Sequence, residues 1–274
     1  MPSPTTRQLL RRLAAAFAIA FAALTGLMLF NYARKRLWPQ GAHGGATGSP
    51  VEGLLLAVPF TASMTIPMSV FLAVLWVFAR LDVEGALEAA QEERDGLRRL
   101  LIPVLGAAAL LAAFSFCLNM EIVPRANARL QVVLTGAEQA KNDRTMTLGE
   151  LQAVVRTARA QAGPRAPARA AQYEIEIQKK LAISAASVVM ALAGVAIALL
   201  VPGGGGWIVF PMYMVVSLVY YVGLIAGEAM GDRLIVSPFA AMWTANIVIL
   251  IPSLFTIGQR LWLHRTRGAA ASLR

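Results

Sequence analysis

Few residues of this 274-residue chain could do chemistry, and most of those are disarmed by their surroundings. Cys117 is the only cysteine. It stands in an apolar run without a partner for a disulfide or a thiolate metal site, so it is expected to be a small buried hydrophobe. His43 and His264 lie in separate flanks and make no metal cluster. The run Gly203–Gly206 could suggest a phosphate cradle, yet no lysine, serine or threonine follows it in the required pattern. No nucleophile is set beside a base. What remains is charge in unusual places. Glu228 stands near the end of a long apolar run, between Gly227 and Gly231, where an acid is either functional or simply reaching the interface. Arg34, Lys35 and Arg36 close another such run.

The elements that must position these groups are membrane spans. The chain is 57% hydrophobic and 15% charged, against about 25% charge in an ordinary soluble protein. Runs approaching the ~20 apolar residues that cross a bilayer occur at about 14–33, 54–79, 100–118, 181–201, 207–229 and 239–263. Arg7, Arg11 and Arg12 precede the first run as they would in a signal peptide, but no small-x-small cleavage site follows Phe30, so a retained helix is expected. Trp38 is a candidate interfacial anchor, and Gly41–Pro50 reads as a flexible loop. The fold class is an all-α integral membrane protein. Six transmembrane helices form two triplets, residues 1–118 and 181–274, joined by a short polar, partly helical connector at 119–180.

Within the second span, Pro59 and Pro67 each remove a backbone donor. Thr61, Ser63, Thr65 and Ser69 are placed to satisfy the carbonyls so freed, in a helix that is either merely kinked or lines a cavity. Arg80–Arg99 carries six acids and four bases, with Val83, Leu87 and Ala90 at helical spacing; it reads as a short amphipathic helix better suited to a protein partner than to anionic lipid. Pro103 is expected in the first turn of span three. In the connector, Thr147 and Glu150 resemble a capping box before a surface helix at about 148–160. Residues 162–167 read as a hinge and Tyr173–Lys180 as a lead into span four, although the alternation in Tyr173–Gln178 could also be a strand with nothing to pair with. The net charge of +10 points to anionic headgroups, because no basic recognition helix or basic–aromatic pattern supports nucleic acid. Eleven lysines and arginines fall on the side of the termini and fourteen on the other, so charge alone leaves orientation open.

Six stretches, in order, resemble the LptF/LptG permease family of the lipopolysaccharide exporter. They are Arg80-Leu81 with the alanine-rich acidic segment to Ala90; Arg98-Arg99 leading to Pro103-Val104-Leu105; and Asn119-Met-Glu-Ile-Val-Pro124-Arg-Ala-Asn127. Met146-Thr-Leu-Gly-Glu-Leu151 and Tyr173-Glu-Ile-Glu176 to Ala182 follow, and then Gly227-Glu228 with Gly231, Pro238, Trp243 and Asn246. Members of that family carry a periplasmic β-jellyroll between the third and fourth of these stretches; here only about twenty residues separate them, so the jellyroll is expected to be absent. Gln91 stands where a glycine is usual, Gln178 where a histidine is, and Ala245 where a proline is common.

The resemblance implies a transport subunit of a bacterial inner-membrane ABC exporter, multi-pass, with both termini cytoplasmic and the connector periplasmic. It implies no catalysis and no cofactor on this chain. ATP belongs to a partner, a cytoplasmic ATPase dimer gripping Arg80, Asp82, Glu84, Leu87 and Glu88. Arg34, Lys35 and Arg36 would hold lipid phosphates, or serve as a generic headgroup anchor. Pro59, Pro67, Asn119, Pro124, Asn127, Glu228, Trp243 and Asn246 would shape the cavity. The implied partners are a second permease of the same family, as homo- or heterodimer, a single-span periplasmic bridge protein, and lipopolysaccharide or a related anionic lipid. The alternatives are a permease for another amphiphile and a non-transporting membrane scaffold of an export complex.

Overall fold

The computed structural model describes residues 5–37, 49–93, 95–135, 142–161, 163 and 166–271. Residues 38–48, with Trp38 and most of the expected loop at 41–50, lie outside the described residues, as do 162, 164 and 165 of the expected hinge, whose last two residues open a helix. In chain order the helices are α1 (Thr6–Tyr32), α2 (Pro50–Val83), α3 (Ala86–Glu92), α4 (Gly96–Cys117), α5 (Val123–Thr135), α6 (Leu148–Ala160), α7 (Ala166–Leu200), α8 (Gly205–Asp232) and α9 (Pro238–Ala271). Two wide π turns, Ala33–Leu37 and Leu118–Ile122, extend α1 and join α4 to α5. No strand occurs among the described residues, so the 173–178 stretch is helix and the jellyroll has no counterpart there.

Six helices are long and apolar enough to cross a membrane. They alternate in direction. Both ends of the described chain, the α2–α3–α4 junction and the α7–α8 turn therefore share one end of the bundle, called here the terminal end. The opposite, connector end holds 33–37, 49–50, the described residues of 118–180, and 232–238. The two triplets are continuous in sequence but not in space: α7 packs against α2, α4, α6 and α9, and α1 lies along α2. In α2 and α7, 78% of the most apolar window is buried, against 17% in α1 and 22% in α8. The first pair is thus the core, and the second pair presents most of its surface outward. Apolar side chains of α8 such as Phe210, Leu218 and Ile225 point away from the bundle.

Several local expectations give way to packing. Residues 80–99 do not form one helix. Gly85 adopts φ +72°, a conformation that favours glycine, and ends α2; α3 is only seven residues long. Leu87 and Ala90 are buried as the face of α3, but Val83 is exposed, because α2 has ended before the turn that would bring it round. Pro103 lies in the interior of α4 rather than in its first turn, since α4 starts at Gly96. Cys117 is exposed on the outside of the bundle rather than buried. The hydroxyls of α2 do not serve the carbonyls of Leu55 and Ser63, which Pro59 and Pro67 leave without their helical donors. Thr61, Ser63 and Ser69 donate instead to Ala57, Phe60 and Thr65, and Thr65 shares a 2.7 Å bond with Thr25 of α1.

Candidate functional site

At the connector end, residues far apart in sequence meet in a buried polar network. Its foundation is the wide turn at Leu118–Ile122. Pro124 has no N–H to return to the carbonyl of Met120, and the Val123 N–H bonds back to Leu118, five residues earlier. This is the π pattern, often found at functional positions. The carbonyl of Asn119, inside that turn, accepts from Lys180 Nζ at 3.1 Å. Lys180 also donates to the Met146 carbonyl at 3.4 Å, and is only 4% exposed. The Asn119 amide donates to the Ser115 carbonyl at 3.0 Å and towards Ser184 Oγ at 3.3 Å. A buried ammonium is tolerated where acceptors replace its water, and here backbone carbonyls of α4–α5 and the connector do so.

One helical step away, Lys179 Nζ donates to both carboxylate oxygens of Glu228 at 2.9 Å. Glu176 lies 3.6 Å from the same ammonium, and Arg144 of the connector 3.8 Å from Glu228. Glu228 therefore does not merely reach the interface; it ties the end of α8 to α7. Gly227 beside it makes the tie possible, because a Cβ there would overlap the carbonyl of Ala241 in α9. Trp243 Nε1 donates to Gln178 Oε1 at 3.0 Å, and Asn246 to the Ala182 carbonyl at 3.0 Å. Asn127 donates to the Arg144 carbonyl at 3.3 Å, and Arg159 of α6 pairs with Glu174 of α7. The connector is thus pinned onto the bundle at several points, with Leu151, Val155 and Ala158 of α6 buried. The helix start is capped: Glu150 accepts from the Thr147 N–H at 2.9 Å.

The structure therefore gathers Asn119, Pro124, Asn127, Glu228, Trp243 and Asn246 at one end. Pro67 is buried further along α2, and Pro59 is half-buried nearer its start. Sequence reasoning missed Lys179, Lys180, Ser184 and Arg144 as members of this network. Lysines opening an apolar run were the available signal. Arg34 and Lys35 sit on the π turn that ends α1, also at the connector end; both are exposed, and among the described residues neither forms an ion pair. The side chain of Arg36 lies outside the description.

The segment expected to grip a partner stands at the opposite end, and much of it faces its own chain. Glu84 pairs with Arg12 of α1 at 2.7 Å, and Asp82 Oδ2 accepts from the Gly203 N–H at 2.5 Å. Leu87 is fully buried within its own chain. Arg80 and Glu88 are exposed. Among the described residues no three of His, Cys, Asp and Glu are grouped to hold a metal.

Six helices long and apolar enough to cross a membrane, tied together at one end by a polar network, define a multi-pass membrane protein. The sequence profile of the lipopolysaccharide export system permeases LptF/LptG matches residues 7–142 and 134–259. The chain belongs to that family. The two matched stretches meet within the connector, where the jellyroll of other members was expected to be missing. No curated protein matches the chain. Membership makes it an inner-membrane permease subunit of a lipid-export system.

Proposed function

We propose that this chain moves lipopolysaccharide or a related anionic lipid out of the inner membrane. A second permease subunit would complete the cavity, and a separate cytoplasmic ATPase dimer would supply the energy. Both termini then face the cytoplasm and the connector faces the periplasm. The reading rests chiefly on the cationic turn at the end of α1. Arg34 and Lys35 stand exposed and unneutralised among the described residues, at the end of the span least covered by the bundle. A lipid phosphate arriving beside α1 meets charge-assisted donors there, while its acyl chains lie against apolar side chains such as Leu27 and Phe30. At the far end, exposed Arg80 on α2 and Glu88 on α3 are the side chains among the expected contacts left for an ATPase to meet.

Gentle purification from the native membrane, followed by mass spectrometry of what accompanies the chain, tests this. The reading expects an ATPase, a second permease and an anionic lipid. Replacing Arg34, Lys35 and Arg36 together by glutamine should reduce the bound lipid about tenfold, roughly 1.4 kcal/mol of affinity. Glu88→Lys should weaken ATPase recovery by a similar factor, with the fold unchanged. Recovery of an ATPase with a different lipid would redirect the substrate assignment. A chain recovered without any ATPase would favour the scaffold reading.

A further inference from the structure

The two spans least covered by the bundle, α1 and α8, are both tied to the same short stretch at the end of α2. Glu84 holds Arg12, in the second turn of α1, at 2.7 Å. Asp82 holds the N–H of Gly203, just before α8, at 2.5 Å. The two acids are two residues apart and grip different helices. Immediately after them Gly85 turns the chain into α3, whose buried Leu87 and Ala90 fasten it to the same end of the bundle. Any displacement of α3 therefore reaches Asp82 and Glu84 first.

The turn that Asp82 holds is built to follow. Gly203 and Gly205 have φ +75° and +51°, and a Cβ on Gly204 would overlap the side chain of Ile208. Residues 203–206 offer no side chain, so a backbone N–H is what a partner can grip. A Cβ on Gly205 or Gly206 would lie 3.7 Å from Val83 or 3.5 Å from Trp76, which leaves the turn resting against α2 without interlocking. Beside it a cleft of about 220 Å³, lined by Trp76, Arg80, Val83 and Glu84, gives it room to shift.

We propose that Asp82 and Glu84 are positioning residues that carry movement of α3 along two separate routes, Asp82 to α8 and Glu84 to α1. The proposal rests on the ATPase-driven reading above, and it assigns these two acids inward rather than to the ATPase surface. The links differ in kind. The Arg12–Glu84 pair is partly exposed, so salt screens it. The Asp82–Gly203 bond is a carboxylate held on a backbone donor and survives the loss of charge if an acceptor oxygen remains.

Hydrogen exchange on the chain in nanodiscs tests the links themselves, without any ATPase. In Asp82→Ala, amides 203–208 should exchange at least tenfold faster while those near Arg12 stay unchanged. Asp82→Asn keeps an acceptor and should restore most of the protection. Glu84→Gln should loosen the start of α1 and leave 203–208 alone. Unchanged exchange at 203–208 in Asp82→Ala overturns the link. Spin-label distances in the purified complex test the routes, with Cys117→Ser as background. One label pair joins Phe210→Cys to Ile102→Cys and another Ile19→Cys to Ile102→Cys. ATP should shift both distances in the otherwise native chain, and Asp82→Ala should abolish the first shift only. A first shift that survives Asp82→Ala overturns the relay and leaves the ATPase reading standing. A complex in which ATP moves neither distance overturns both.

Discussion

Lys180→Ala is expected to be among the most damaging single substitutions in this protein. The ammonium is 4% exposed and donates to two backbone carbonyls from different parts of the chain, Asn119 and Met146. Removing it leaves both acceptors in a site built to exclude water. An unsatisfied buried acceptor costs about 1–3 kcal/mol, so a loss of roughly 2–4 kcal/mol follows if the wide turn relaxes in part. Thermal unfolding in detergent should register a drop of roughly 5–15 °C by the scaling for soluble domains of similar size. Lys180→Met separates hydrogen bonding from packing. It fills nearly the same volume without a donor, and should fall between the native chain and Lys180→Ala. A methionine variant as stable as the native protein would show that the ammonium contributes packing alone. The connector should also respond, since Met146 is one of the acceptors: exchange of amides 142–147 should quicken in both variants.

Gly227→Ala should open the contact between α8 and α9. The added Cβ would lie 1.9 Å from the backbone carbonyl oxygen of Ala241, which cannot turn aside as a side chain can. Helices in lipid gain association energy from close approach at small residues, and forcing overpacking costs about 1–3 kcal/mol. Here the consequences run further. Glu228 is the next residue, so a shift of α8 lengthens its bond to Lys179. Gly231, one turn on, is nearly as tight: a Cβ there would lie 2.8 Å from Ile175 and 3.1 Å from Ala241. A loss of about 2–4 kcal/mol is the expected sum of overpacking and a weakened ion pair, and Gly227→Leu should yield little folded protein. Gly258→Ala is the control, because nothing lies within 4 Å of its Cβ position; in a helix interior alanine is favoured over glycine by about 1 kcal/mol. Equal melting of Gly227→Ala and the native chain would refute the close approach.

The span layout was legible because each membrane helix satisfies its own backbone, so length and composition are enough to place it. The start of α6 was legible for a local reason too, since Thr147 and Glu150 are three residues apart. Glu228 stood out as an acid near the end of an apolar run, and the resemblance added Asn119, Trp243 and Asn246, but neither showed what they touch. Lys179 and Glu228 are 49 residues apart, and Lys180 and Asn119 are 61 apart. Nothing local in the sequence pairs them.

By itself, then, the sequence determined six spans in two triplets, a polar connector too short for a jellyroll, and membership of a permease family. The tertiary structure decided which spans form the core, which face each span turns inward, and which charges are neutralised at home. In water an amphipathic stripe announces the buried face. In lipid both faces are apolar, so the pattern carries no such signal. Phe71 is fully buried and Phe210 is 67% exposed, though each stands in an equally apolar run. Cys117 was misplaced for that reason. What Asp82 and Glu84 touch was not legible for a related reason. A charge at the end of a span looks free until the other spans are packed around it, and only then do Arg12 and the Gly203 N–H come within reach of Glu84 and Asp82.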